Sequence, residues 1–225
     1  MNSRYRLITT LFVFLGFISL GKALPSDTQS TVIEGIRARY GNAQGLAAVY
    51  TREAISKTMA MLGETERHDL ARGRLYFKPP HFLRLEQASP QEELLLTDGQ
   101  TLWWYLPLKK EAYQYPTGQF GQELRLLGDI LRGLKDTEES FHISLKVRPE
   151  TNVYHLILKP EPPWQEIDHL EVIVLKGDFA IEQVDIYNNI GGLTRFLLTD
   201  WEERDRFGEE FFSFSPPPGV KVLEK

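Results

Sequence analysis

The chain contains no cysteine, and only three methionines and five histidines occur among its 225 residues. Without thiols it can form no disulfide, thiolate metal site or thiol nucleophile, so its stability has to come from a packed core. Positive charge is also in deficit, with 26 Lys and Arg against 31 Asp and Glu. That balance argues against nucleic acid, and against a polybasic footprint on a membrane. There is no Gly-x-Ser-x-Gly, no P-loop, no Gly-x-Gly-x-x-Gly and no His-Glu-x-x-His, so the common hydrolase, nucleotide and zinc signatures are missing. Glu166, Asp168 and His169 come nearest to an acid–base or cation site. Strand alternation sets His169 opposite Asp168, however, and a protein without catalytic residues, metal or cofactor is expected. Glu202, Glu203, Asp205, Glu209 and Glu210 read as a solvated acidic loop.

Long apolar runs are absent except for one. Arg4 and Arg6 precede the uncharged run Leu7 to Leu20, the order of a basic region and an apolar region in a secretory signal. Fourteen helical residues reach only about 21 Å, short of a hydrocarbon core of roughly 30 Å. Gly21-Lys22-Ala23 offers small residues where signal peptidase reads. Residues 1–23 are therefore expected to be a cleavable signal peptide and residues 24–225 a single exported domain with a net charge of about −8.

What is present downstream is mostly β pattern. Ser26 or Asp27 is expected to cap a helix carrying Val32, Ile33, Ile36 and Tyr40 at three- and four-residue spacing, with Gly41 at its C-terminal end. Runs rich in β-branched and aromatic residues follow at 46–55, 69–77, 82–87, 92–97, 101–105 and 111–115. Asp98-Gly99 between two of them marks a tight antiparallel turn. Leu124, Leu127, Ile130, Leu131 and Leu134 then recur at helical spacing, predicting a second amphipathic helix over 122–134. Strands resume at 141–147, 152–158, 169–175, 181–187 and 193–201, with Phe211 to Phe214 as a closing strand. About eleven antiparallel strands in one meander are expected to curl into an unclosed barrel, because twist disfavours a flat sheet of that width. Two amphipathic helices need an apolar surface to cover, and the open barrel mouth supplies it. The resulting architecture, mainly β with an α-helical lid over a hydrophobic cavity, suits a carrier of something apolar.

Three stretches add a resemblance. Gly73 to Leu85 reads Gly-Arg-Leu-Tyr-Phe-Lys-Pro-Pro-His-Phe-Leu-Arg-Leu, Thr97 to Tyr105 reads Thr-Asp-Gly-Gln-Thr-Leu-Trp-Trp-Tyr, and Phe212 to Val220 reads Phe-Ser-Phe-Ser-Pro-Pro-Pro-Gly-Val. Together they resemble the LolA family of periplasmic lipoprotein carriers. The resemblance implies an unclosed β-barrel under a helical lid and the ferrying of acylated lipoproteins. The implied partners are an inner-membrane lipoprotein-releasing ABC transporter (LolCDE-like) and, where present, an outer-membrane acceptor (LolB-like); a monomer is expected. Leu83 and Leu85, which match inward positions of the family's strand, are expected to line the acyl-chain cavity with Leu102 and Trp104. Leu127, Ile130 and Leu131 would close it from the second helix, and Val32 and Ile36 from the first. Trp103 must face away from Trp104 and is a candidate contact surface. One position departs from the family. The arginine that latches the lid in well-known members is Pro79 here, with Lys78 and Arg84 as nearby cations. The same half-barrel also suits a general lipid or glycolipid shuttle, or a lipoprotein-sensing envelope-stress regulator.

Overall fold

The computed structural model describes residues 28–56, 69–116, 122–134, 139–148 and 150–224. The expected signal peptide lies outside these residues. Helix α1 spans Gln29–Tyr40. Strands β1 (Leu46–Ile55), β2 (Asp69–Lys78), β3 (Phe82–Ser89), β4 (Glu93–Thr97), β5 (Thr101–Leu106) and β6 (Glu111–Pro116) follow. Helix α2 (Gln122–Leu131) leads into β7 (Phe141–Val147), β8 (Val153–Pro160), β9 (Ile167–Leu175), β10 (Ile181–Asn188), β11 (Leu193–Glu203) and β12 (Lys221–Glu224).

All twelve strands form one sheet in the order β12-β6-β5-β4-β3-β2-β1-β11-β10-β9-β8-β7. Its edges, β12 and β7, do not pair, so the barrel is open. The expected single meander is corrected to two, β1–β6 and β7–β11, sewn together where β1 runs antiparallel to β11 from Leu46 opposite Glu203 to Ile55 opposite Leu193. Sequence order could not reveal that long-range pairing. The Asp98-Gly99 turn forms as the pattern demands: Gly99 takes φ +91°, and the Asp98 carboxylate accepts the N–H groups of Gln100 and Thr101 at 2.8 Å each.

Two boundaries differ from expectation for local reasons. Thr28, not Ser26 or Asp27, is the cap of α1, its hydroxyl accepting from the Thr31 N–H at 3.2 Å. Helix α2 stops at Leu131 rather than Leu134, because Gly133 and Leu134 adopt φ +78° and +57° and turn their N–H groups back onto the Ile130 carbonyl.

The larger correction concerns Phe211 to Phe214, which is not a strand. Residues 204–219 run as a strap over the outer face of β1–β5. Phe207 and Phe211 meet Tyr76 edge-on at 6.3 and 4.9 Å, Phe212 packs on Phe82 at 5.5 Å, and Phe214 packs on Trp103 and Tyr105 at 5.1 and 5.3 Å. Local turns bond Phe211 N–H to Gly208 and Ser213 N–H to Glu210. Pro216 to Pro218 then supply no N–H for a ladder, so the segment cannot pair as a strand. Past the prolines the chain regains pairing in β12, parallel to β6.

Both helices lie against the inner face of the sheet. Val32, Ile33, Ile36 and Tyr40 of α1, with Leu126, Leu127, Ile130 and Leu131 of α2, are buried in one continuous core with inward residues of β1–β3 and β7–β11. Tyr40 ties α1 down, its phenol accepting the Ile181 N–H at 2.9 Å beneath the Trp201 ring. The helices meet end to end: a Cβ on Gly133 would lie 3.0 Å from the Arg37 Cα.

Candidate functional site

Among the described residues, the inner face of the sheet extends beyond what helices α1 and α2 cover. Period-two alternation turns Leu85 of β3, Leu95 of β4, Leu102 and Trp104 of β5, and Phe196 of β11 to the same side. There they wall a hollow of about 410 Å³ that Leu124 of α2 and Tyr115 of β6 complete. A smaller recess of about 80 Å³ lies between α2 and the β2–β3 and β4–β5 turns, lined by His81, Leu83, Gly128 and Asp129. Leu102 and Leu124 border both. The larger hollow falls within the ordinary range of ligand pockets, ~300–1,000 Å³.

Its lining is not wholly apolar. Arg52, Glu123, Glu166 and Asn188 share the lining. Arg52 sits in phase with Leu46, Ala48 and Tyr50 on β1, and directly opposite Phe196, so its guanidinium emerges among apolar groups. Its Nε is sealed from solvent with no hydrogen-bond partner, a situation that costs about 1–3 kcal/mol for a buried donor. Glu123, in the first turn of α2, accepts from the Thr194 hydroxyl at 3.1 Å. Burial pushes its carboxyl above the usual carboxylate range, opposed by that hydrogen bond and by the charge of Arg52. Asp129 in the smaller recess is raised for the same reason, opposed by Arg132, Arg125 and His81.

The expected cavity residues divide into two sets. Leu85, Leu102 and Trp104 wall the larger hollow and Leu83 the smaller. Val32, Ile36, Leu127, Ile130 and Leu131 border neither hollow and lie in the packed core, to which Leu83 and Leu85 also belong. Trp104 also donates to Glu93 at 2.9 Å and packs on Tyr113. Trp103 faces outward, and the strap of this same chain covers it through Phe214.

Pro79 occupies the β2–β3 turn. Of the two nearby cations, Lys78 is exposed over the Phe82 ring, whereas Arg84 is not a solvated surface charge. It bonds Glu86 at 2.7 Å and the Phe211 carbonyl at 2.8 Å, and lies 4.8 Å from the Phe211 ring, fastening the strap to the outer face.

Asp168 and His169, expected to point apart, do meet: the His169 Nδ1 lies 2.6 Å from the Asp168 carboxylate, and the ring stacks on Tyr187 at 4.3 Å. Glu166 turns into the hollow instead. Among the described residues no group of His, Asp and Glu is arranged to hold a metal ion.

The polar part of the lining was not anticipated from the sequence, although its signal was present. Arg52 stands two residues beyond Tyr50 on an inward strand face, and Glu123 stands four before Leu127 on an inward helix face. A charge in phase with core residues marks a polar group inside the fold.

Residues 59–215 match the family described as outer membrane lipoprotein carrier protein LolA. The outer-membrane lipoprotein carrier protein of Pseudomonas paraeruginosa is 28% identical over 98% of this chain and 100% of its own length. That of Nitrosospira multiformis is 24% identical over 95% of this chain and 96% of its own. Among solved structures, an uncharacterized conserved protein from Thermus thermophilus superposes with a TM-score of 0.52 at 12% identity, over 87% of this chain and 98% of that one, a likeness of fold.

Proposed function

This chain belongs to the LolA family of outer membrane lipoprotein carrier proteins, and from that premise we propose that it is a periplasmic carrier. In this proposal residues 1–23 are removed on export. Residues 24–225 receive acylated lipoproteins from an inner-membrane lipoprotein-releasing ABC transporter and deliver them to an outer-membrane acceptor. The observation that carries the proposal is the leucine- and aromatic-walled hollow inside an open sheet, beside a helix packed by apolar contact.

The energetics set what the hollow must do. Each CH₂ exposed to water costs ~0.8 kcal/mol, so three chains of ~15 methylenes would cost on the order of 36 kcal/mol. At ~30 Å³ per water-sized group the hollow of about 410 Å³ holds about fourteen such groups, or one chain. A cargo with three chains therefore needs α2 to withdraw. That step exposes Leu126, Leu127, Ile130 and Leu131 at about 1.5–3 kcal/mol each, or about 6–12 kcal/mol together. Shielding three chains from water yields several times as much, so the loaded carrier holds its cargo in an aqueous space while the packed helix supplies the restoring force for release.

A second reading, a shuttle for single-chain lipids or glycolipids, is favoured by the size of the hollow as it stands. Depleting the protein from cells and fractionating their membranes separates the two. A carrier leaves lipoproteins stalled at the inner membrane. Normal lipoprotein sorting with an altered glycolipid or phospholipid distribution would overturn the carrier proposal in favour of the shuttle.

A further inference from the structure

We propose that the Arg52 end of the hollow is a subsite for the ester or amide carbonyls that join acyl chains to their cargo, with the Arg52 guanidinium as the donor. This deepens the carrier proposal and rests on it. Three observations converge. Arg52 lines the hollow, and because its Nε is sealed from solvent, donation into the hollow falls to the terminal guanidinium nitrogens. Phe196 stands directly opposite Arg52 in the strand register, and Leu85 lines the same hollow. Donor and chain-binding wall are therefore continuous, as an amphiphile's linkage and the start of its chain require. The third observation is charge. The same lining holds two carboxyls, Glu123 and Glu166, against the one guanidinium. An incoming phosphate would meet these carboxyls, whereas a neutral carbonyl satisfies the guanidinium and adds no charge.

The test compares two probes on the intact protein by displacement of a fluorescent fatty acid. One is a lipopeptide with two palmitoyl chains ester-linked through an S-glyceryl cysteine, and the other its dialkyl ether counterpart with chains of equal length. The ester form is expected to bind about tenfold more tightly, equivalent to ~1.4 kcal/mol. Arg52→Met is expected to reduce that preference to within about twofold, read as the ratio of ester to ether affinity within the variant.

Equal binding of the two probes by the unaltered protein overturns the subsite, and this comparison stands even if the variant does not fold. A preference that survives Arg52→Met overturns it as well. So does dimyristoylphosphatidylglycerol binding that exceeds ester binding and is lost with Arg52, which would mark an anion site. Ether binding without ester preference removes the subsite alone. Failure to bind either probe removes the carrier proposal and the subsite with it.

Discussion

Leu124 and Leu127 stand one helical turn apart on α2, yet the structure gives them different work. Leu127 is fully buried in the core, whereas Leu124 is half-buried and borders both hollows. Truncating Leu127 to Ala leaves a cavity that the surrounding β-sheet cannot readily collapse around, with an expected loss of about 3–4 kcal/mol. For a domain of this size that corresponds to a melting temperature lower by ~10 °C. Truncating Leu124 removes less buried area, so a loss under ~1.5 kcal/mol and a shift of no more than about 4 °C are expected. Loading should show the reverse order. Leu124→Ala removes about 1–2 kcal/mol of contact with an acyl chain and weakens lipopeptide binding about five- to thirtyfold. Leu127→Ala, assayed well below its melting temperature, should load at least as tightly as the parent protein, because a helix packed less firmly withdraws at lower cost. The assay pairs thermal melts followed by circular dichroism with lipopeptide titration of each variant. Equal destabilisation by the two substitutions, or loss of loading confined to folded Leu127→Ala, would refute the division between cleft wall and core.

Three further outcomes are expected. Asp185 is buried on the outer face, where Arg195 bonds it at 2.8 and 2.9 Å and Gln183 donates to both of its oxygens at 2.9 Å. Asp185→Ala should therefore cost about 3–5 kcal/mol in urea unfolding, and a change below about 1 kcal/mol would contradict it. The Glu123 carboxyl titrates above its ordinary value in the folded state, so the folded protein loses stability as pH rises from that ordinary value through the raised one. Glu123→Gln should accordingly raise the melting temperature at pH ~7 and have little effect at pH ~4, and a benefit confined to acid pH has the wrong sign. Phe212 anchors the strap through Phe82 and Phe207 and is buried. Phe212→Ala should cost about 3 kcal/mol and open residues 204–219 to limited proteolysis, while an unchanged cleavage pattern would argue that the remaining aromatics hold the strap alone.

The parts legible in the sequence were those governed by local chemistry. Residues 141–147 are read as a strand from alternation alone, and β7 has the same bounds. Asp98-Gly99 likewise specifies its own turn. The apolar spacing of α1 matches its buried face residue for residue. What was not legible depends on partners distant in sequence. The β1–β11 seam joins residues about 150 apart, and no local pattern distinguishes that pairing from continuation of a meander. The aromatics of the strap have strand-like composition, but their outlet is packing on Tyr76, Phe82 and Trp103, decided by the outer face of β2, β3 and β5. β12 is only four residues long and largely exposed, and it becomes a strand because β6 offers a free edge. At the site, the apolar walls follow from alternation. Whether an inward leucine borders a hollow or a neighbour depends on where the helices settle, which separates Leu85 from Leu127.

Whether this protein carries acylated lipoproteins is decided most simply by mass spectrometry of what co-purifies with it from a periplasmic extract, without detergent and under non-denaturing conditions. A lipoprotein carrier yields complexes whose added mass resolves into lipoproteins bearing intact acyl chains, with occupancy reduced by Leu124→Ala. Complexes holding only phospholipid or glycolipid, with acylated proteins absent even when transfer to the outer membrane is blocked, would contradict the carrier proposal.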